Sequence, residues 1–345
     1  MALNFPNSPS NGQRHDAANG ITYKYDGDKW VTLGSYIANT DPDAEYVSVS
    51  GDTMTGGLTV PSLNSGQLAG FRNQLINGDF GVNQRGIGPF SASIAYTSDR
   101  WKAVNGSMVT VATGGAYGTN KLSINGTTVC QAVELTPNPG RVGVFPVGSQ
   151  WTFSIWATAQ PTDFTAAFVD RALDGTNAVY VVSSTAMTST TETDNGFTKY
   201  TITFTINASQ VSSNFGFQVA LNNYTGDVTL AQLEPGPVAT PFEHRPIGVE
   251  LALCQRYYQL GQGSYRETYP KNLAATYSAI NFPTTMRVAP TFPSPLPYLE
   301  NDSNRLDAMN AQEITPYSFV ASALVLGGTG DPVYGRFSWT ADAEL

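Results

Sequence analysis

Short runs in which apolar and polar residues alternate, each closed within a few residues by Gly, Asn, Asp or Pro, limit this chain to a β-rich fold. Trp151-Thr152-Phe153-Ser154-Ile155-Trp156, Ala178-Val179-Tyr180-Val181-Val182, Tyr200-Thr201-Ile202-Thr203-Phe204 and Phe215-Gly216-Phe217-Gln218-Val219 are the clearest. A period of two sends successive side chains to opposite faces of a strand, so such runs suit half-buried strands and not helices. Turn residues recur between them and no long helical pattern intervenes. The stretch 71–245 therefore predicts one antiparallel sandwich.

At 345 residues the chain exceeds one ordinary core and predicts two or three domains. Only 13% of residues are charged, about half the usual share. Amides and hydroxyls supply the remaining polarity, which suits a rigid β particle better than a metabolic enzyme. Lys and Arg number 18 against 27 Asp and Glu, a net charge of −9 without a basic cluster. Nucleic acid is excluded as an expected partner, because a phosphate backbone needs a concentrated positive footprint. No apolar stretch approaches the ~18 residues of a membrane span, so no membrane insertion is expected. Met1-Ala2-Leu3-Asn4-Phe5-Pro6 has neither a basic start nor an apolar run, which reads as the absence of a secretory signal. Cys130 and Cys254 lack metal-ligand spacing and read as two buried thiols made in a reducing cytoplasm.

Residues 1–36 predict a small β-hairpin module, with Ile21, Tyr23 and Tyr25 leading into an Asp26-Gly27 turn before Trp30-Val31. Residues 37–70 read as a linker or stalk. Within it, Gly51-Asp52-Thr53-Met54-Thr55-Gly56, followed by Leu58-Thr59-Val60, resembles a segment of bacteriophage tail-fibre proteins. Phe5-Pro6-Asn7-Ser8-Pro9 and Tyr23-Lys24-Tyr25-Asp26-Gly27-Asp28-Lys29-Trp30-Val31 are similar to the start of many phage virion proteins.

The unit 71–245 opens with Asn77-Gly78-Asp79-Phe80 and closes with Gln232-Leu233-Glu234-Pro235-Gly236. These ends resemble those of jelly-roll modules related to carbohydrate-binding modules. The resemblance implies that the two ends lie together, and some relatives hold calcium there, with Asp79 and Glu234 the nearest candidates. The residues themselves read as solvated turn and strand-end carboxylates, and a metal site stays open. A connecting helix is expected over 246–260, with Ile247, Leu251, Cys254 and Tyr258 on one apolar stripe. The run Pro241–Tyr258 is the longest segment resembling phage tail proteins. Residues 261–345 read as a C-terminal β tip domain, with strands at Tyr277–Pro283, Met286–Thr291, Phe319–Leu326 and Tyr334–Leu345.

Catalytic signatures are missing. His15 and His244 have no metal-ligand partner at helical spacing, and neither a nucleophile elbow nor a phosphate-cradling loop occurs. His244 reads as a polar cap or an interface residue. No catalytic residue and no cofactor is assigned, although a carboxylate pair of the glycosidase kind stays open. The resemblance implies a phage tail-fibre or receptor-binding subunit: a homotrimer carried on the virion tail and made in the host cytoplasm. Residues 1–60 would bind other tail proteins, and the tip would bind a host surface glycan or receptor. Aromatic rings stack on sugars, and Tyr265, Tyr269 and Tyr298 fall in the expected polar loops Gly261–Lys271 and Leu296–Asp307. Each competes with a packing role in the core. A secreted bacterial carbohydrate-binding module and a glycan-cleaving tailspike are the alternatives.

Overall fold

The structure, a computed structural model, describes residues 4–17, 20–32, 71–91, 94–104, 109–135, 145–170, 178–207, 216–267, 275–301, 308–325 and 332–344. The chain separates into two compact units, residues 1–59 and 60–345. The Gly51–Gly56 segment lies outside the described residues.

In the first unit β1 (Arg14–Asp16), β2 (Thr22–Tyr25) and β3 (Trp30–Thr32) form an antiparallel sheet in chain order. The expected Asp-Gly turn joins β2 to β3. Asp26 Oδ1 accepts hydrogen bonds from the Asp28 and Lys29 amides, and Gly27 takes a φ of 103° that suits glycine. So small a sheet buries little, and its apolar cluster is aromatic. Phe5 lies 5.0 Å from Tyr23 and 5.2 Å from Trp30 between ring centroids.

The second unit begins with the sandwich: β4 (Ile94–Tyr96), β5 (Lys102–Val104), β6 (Val109–Thr113), β7 (Asn120–Glu134), β8 (Gln150–Ala157), β9 (Phe164–Val169), β10 (Val179–Thr185), β11 (Thr188–Asp194), β12 (Phe197–Thr205) and β13 (Gly216–Pro235). All of its pairings are antiparallel. The long strands β7 and β13 pair with each other and serve both layers. Gly216–Leu221 of β13 pairs with β9, whereas Val228–Pro235 pairs with β8. Likewise β7 takes β6 along Asn120–Ile124 and β5 along Thr128–Cys130. One layer thus runs β11-β12-β8-β13-β7-β6 and the other β10-β9-β13-β7-β5-β4. Between the halves of β13 the register slips, and Asn223 and Gly226 take positive φ values of 47° and 143°. Rings from the two layers meet in the middle: Phe153 of β8 stacks on Phe164 of β9 at 5.0 Å, and Phe204 of β12 on Phe217 of β13 at 6.2 Å.

The helix α1 spans Ile247–Gln255, shorter than the expected 246–260. Pro246 precedes it as the N-cap, and Tyr258 already belongs to the next strand. The expected apolar stripe is corrected as well. Ile247 is 65% exposed, and the helix buries Glu250 and Cys254.

The C-terminal domain holds β14 (Tyr258–Glu267), β15 (Ala275–Asn281), β16 (Tyr298–Asn301), β17 (Asn310–Gln312), β18 (Ser318–Leu324) and β19 (Val333–Asp342). Two three-stranded sheets, β14-β19-β16 and β15-β18-β17, enclose one core in which Phe319 meets Trp339 at 5.5 Å. Three expectations fail here, the first being the loop Leu296–Asp307, in which Tyr298–Asn301 is strand. Met286–Thr291 is not a strand and makes only an isolated bridge between Thr291 and Asp342, because Pro290 has no amide to donate to a ladder. Gly261–Glu267, expected as the start of a loop, is strand. Its Gly261 and Gly263 lie opposite Trp339 and Phe337, and its Tyr265 lies opposite Gly335.

Candidate functional site

The two ends of the sandwich lie together, as the resemblance implies, and the chemistry of the opening segment explains how. Asn73 Oδ1 accepts from the Leu75 and Leu233 amides at 3.0 Å each, while its Nδ2 donates to the Ala231 carbonyl at 3.0 Å. Asn77, at φ 59°, uses its side chain to hold the Val82 amide and carbonyl, Ser98 and the Asp99 carbonyl. Gly78 must be glycine: a Cβ there would stand 2.2 Å from the Ala231 carbonyl oxygen. The opening segment is a clasp of turns over β13, not a strand.

The segment after β13 closes over this clasp with a buried ion cluster. Arg245 pairs with Glu243 at 3.4 Å and Glu250 at 3.3 Å, and all three side chains are under 10% exposed. Arg245 also donates to the Asn73 and Leu75 carbonyls. Glu243 accepts from the Phe71 and Asn73 amides, and Glu250 from the Asn77 amide. A charge taken from water is tolerated when most of its lone pairs and protons are met in this way, although the buried Arg245 Nε has no hydrogen-bond partner. The cavity beside the cluster, lined by Asp79, Phe242 and Ile247 among others, holds about 70 Å³. That is room for a few waters, far below the ~300 Å³ of a small-molecule pocket.

A second cluster joins the sandwich to the C-terminal domain. Arg100, 2% exposed, lies 3.5 Å over the Tyr257 ring, pairs with Glu344 and donates to the Ala132 carbonyl at 2.7 Å. Arg85 stacks on Tyr258 at 3.6 Å and reaches Asp99, Asp342 and Glu344 at 3.4, 3.2 and 3.4 Å. Arg256 and the Tyr257 hydroxyl both hold Glu134. Burial pushes the Asp99 carboxyl up to about 6, against the pull of the Gln84 amide and Arg85. Sequence reading missed this joint. Arg85 and Asp99 lie 14 residues apart, but the pairs that bridge the two regions close across more than a hundred, so spacing carries no sign of the joint; only the adjacent Arg256-Tyr257-Tyr258 hints at it.

Glu234 corrects another expectation. It is no solvated strand-end carboxylate: its side chain is fully buried, accepting from Thr240 N at 2.8 Å, Thr240 Oγ1 at 2.6 Å and Gln232 at 2.9 Å, and pairing with Arg72 at 3.1 Å. Asp79 accepts from the Gly81 amide at 3.1 Å. Among the described residues no three His, Cys, Asp or Glu side chains gather as a metal group. His244 is exposed, edge-on to Phe242 at 4.9 Å, and caps nothing. Both cysteines are free and buried, and burial raises both thiols above the usual range. No helix among the described residues is long and apolar enough to cross a membrane.

The two candidate tyrosines among the described residues form no open surface. Tyr265 is 7% exposed and Tyr298 half-buried, both packed in the core of the C-terminal domain, and Tyr269 lies outside the described residues. Tyr265 therefore has no open face to offer a sugar. The exposed rings among the described residues of this domain are Tyr277, Tyr317 and Tyr334, at 55–66%. Tyr334 was legible: it shares a parity with Arg336 and Ser338, opposite to the core residues Phe337 and Trp339.

No family model and no curated protein matches the chain. Similar solved structures include the enzymatically active domain of tailspike protein 4 from bacteriophage CBA120, at 13% identity and a TM-score of 0.27, over 48% of this chain and 22% of that one. Discoidin II of Dictyostelium discoideum is similar at 13% identity and a TM-score of 0.21, over 77% of this chain and 90% of that one.

Proposed function

We propose that the chain is a non-catalytic subunit of a bacteriophage tail, a fibre or receptor-binding protein that works as a homotrimer. Residues 1–60 attach it to other tail proteins, and the C-terminal domain meets a glycan on the host surface. The carrying observation is the convergence of segments that resemble phage tail proteins and jelly-roll modules. Asn73–Phe80, Gln232–Gly236 and Pro241–Tyr258 build the clasp and the joint described above. Around the Tyr257 and Tyr258 rings of the last segment, Arg100 and Arg85 of the sandwich reach Glu344 and Asp342 of the C-terminal domain, which suits a subunit that presents a surface better than a groove that turns over substrate. The carboxylates Glu134, Glu234, Glu243 and Glu250 each face an arginine or an amide at hydrogen-bonding distance.

Glycan contact is supported by the outer faces of the C-terminal sheets. Tyr277, exposed, lies beside the buried Ser322 and, one strand further, the half-buried Asn310, in a row without a charged residue. Tyr334 lies across from Arg266 on the other sheet. The test is an antibody against this chain applied to virions of a phage that encodes it. Label along the tail supports the proposal. Unlabelled virions together with glycan binding by the free protein would favour a carbohydrate-binding module, and release of reducing ends from host polysaccharide would favour a glycan-cleaving enzyme.

A further inference from the structure

The turn between β6 and β7 lifts a tyrosine out of the sandwich on a backbone conformation that tyrosine rarely adopts. Tyr117 has φ 52° and ψ 28°, in the left-handed region, and is 64% exposed. Three contacts hold it there. Trp156 of β8, itself buried, meets the ring edge-on at 5.1 Å. The Tyr117 amide donates to Asp194 Oδ2 at 2.6 Å. From the neighbouring turn, Asn195 Nδ2 donates to the Gly114 carbonyl at 3.1 Å, tying the two turns together. Burial first, and then the charges of Asp194 and Glu192, hold the phenol above its ordinary range. Lys199 answers Glu192 at 3.0 Å, whereas Asp194 makes no ion pair among the described residues.

We propose that Tyr117 is the platform of a second glycan site, on the sandwich, which takes a neutral sugar. The open face of the ring stacks on the C–H face of the sugar, and Asp194 and Glu192 accept hydrogen bonds from its hydroxyls. Asparagine or glycine would occupy this left-handed position with less strain. Tyr117 shares its positive φ with Phe71, Phe80, Arg100 and Leu230, but it alone of them also packs its ring on Trp156 while its amide binds a carboxylate. A tyrosine mostly in water there is a local conflict, and such conflicts gather at functional sites. A ring on a fixed mount also loses little freedom when it binds. The surplus negative charge selects against uronic and sialic acids. The inference rests on the glycan-binding part of the proposed function, but it assigns a different surface.

The test titrates the full chain with glucose, galactose, N-acetylglucosamine and glucuronic acid, followed by saturation-transfer NMR. At least one neutral sugar is expected to bind, and glucuronic acid at least about tenfold more weakly. Tyr117→Asn should weaken the neutral sugar about tenfold or more while melting at or above the wild-type temperature. Tyr117→Phe should stay within about twofold, because it keeps the ring. If Tyr117→Asn binds as the wild type does and Tyr277→Ala with Tyr334→Ala does not, the Tyr117 site is overturned while glycan binding by the C-terminal domain stands. Equal binding of glucuronic acid overturns the neutral class. If the wild type binds no sugar, the site and the glycan part of the proposed function both fall.

Discussion

The sandwich and the C-terminal domain are both two antiparallel layers around one core, yet they fill that core differently. In the sandwich, large residues from both layers meet face to face, with Phe153 on Phe164 and Phe204 on Phe217. In the C-terminal domain rings also meet across the layers, as Phe319 meets Trp339, but in addition they fold over glycines of the adjacent strand: Trp339 over Gly261, Phe337 over Gly263 and Tyr265 over Gly335. A Cβ at those glycines would stand 2.5, 2.2 and 2.0 Å from the ring or its hydroxyl. Glycine within a strand is commonly a weak point or a bulge. Here it is half of a packed pair, the arrangement that rescues strand glycines in other sheets.

The sharpest way to break this contrast is to remove volume from one core and add it to the other. Phe217→Ala should cost about 3–5 kcal/mol, because it removes a ring that contacts partners in both layers. Chemical denaturation measures it, and a cost below about 1 kcal/mol would mean that the stack is not the core. The joint between the two regions comes next. Burial raises the Asp99 pKa to about 6 in the folded chain, so the folded state holds that proton more tightly than the unfolded chain does. The contribution of Asp99 is therefore full below about pH 4 and is lost as the pH rises through about 6. Asp99→Asn should flatten that fall by about 3 kcal/mol, and parallel stability–pH curves for the two proteins would contradict the assignment. Smallest and most specific is the glycine pair. Gly335→Ala should cost about 1–3 kcal/mol by overpacking Tyr265. Gly248→Ala, in the open first turn of α1, should instead gain up to about 1 kcal/mol. Equal effects at the two positions would dissolve the distinction between paired and unpaired glycines.

How much was legible follows the same physics. Strands β8, β12 and β13 were readable because their alternation is local, and the β2–β3 turn because Asp26-Gly27 carries its own conformation. β14 was unreadable because Gly-Gln-Gly-Ser looks like a loop until the rings some seventy residues further along are known to cover it. Tyr265 was misplaced for that reason, and its candidacy as a sugar platform went with it. Glu234 looked solvated because its partners Arg72 and Thr240 come from outside its own strand. Arg100 drew no notice at all, since a buried guanidinium is recognisable only with Glu344 and Tyr257 around it. Tyr117 escaped because its turn is unremarkable in sequence and its support, Trp156, belongs to another strand.

The central claim is that this chain is a tail subunit anchored through its first unit, and removing residues 1–60 from the protein of a phage that encodes it tests that most directly. The truncated chain should remain folded and soluble, because residues 60–345 form a compact unit of their own. It should also be missing from purified virions, as read by immunoblot against the capsid protein. Virions that carry the folded truncated chain at the normal level would contradict the account.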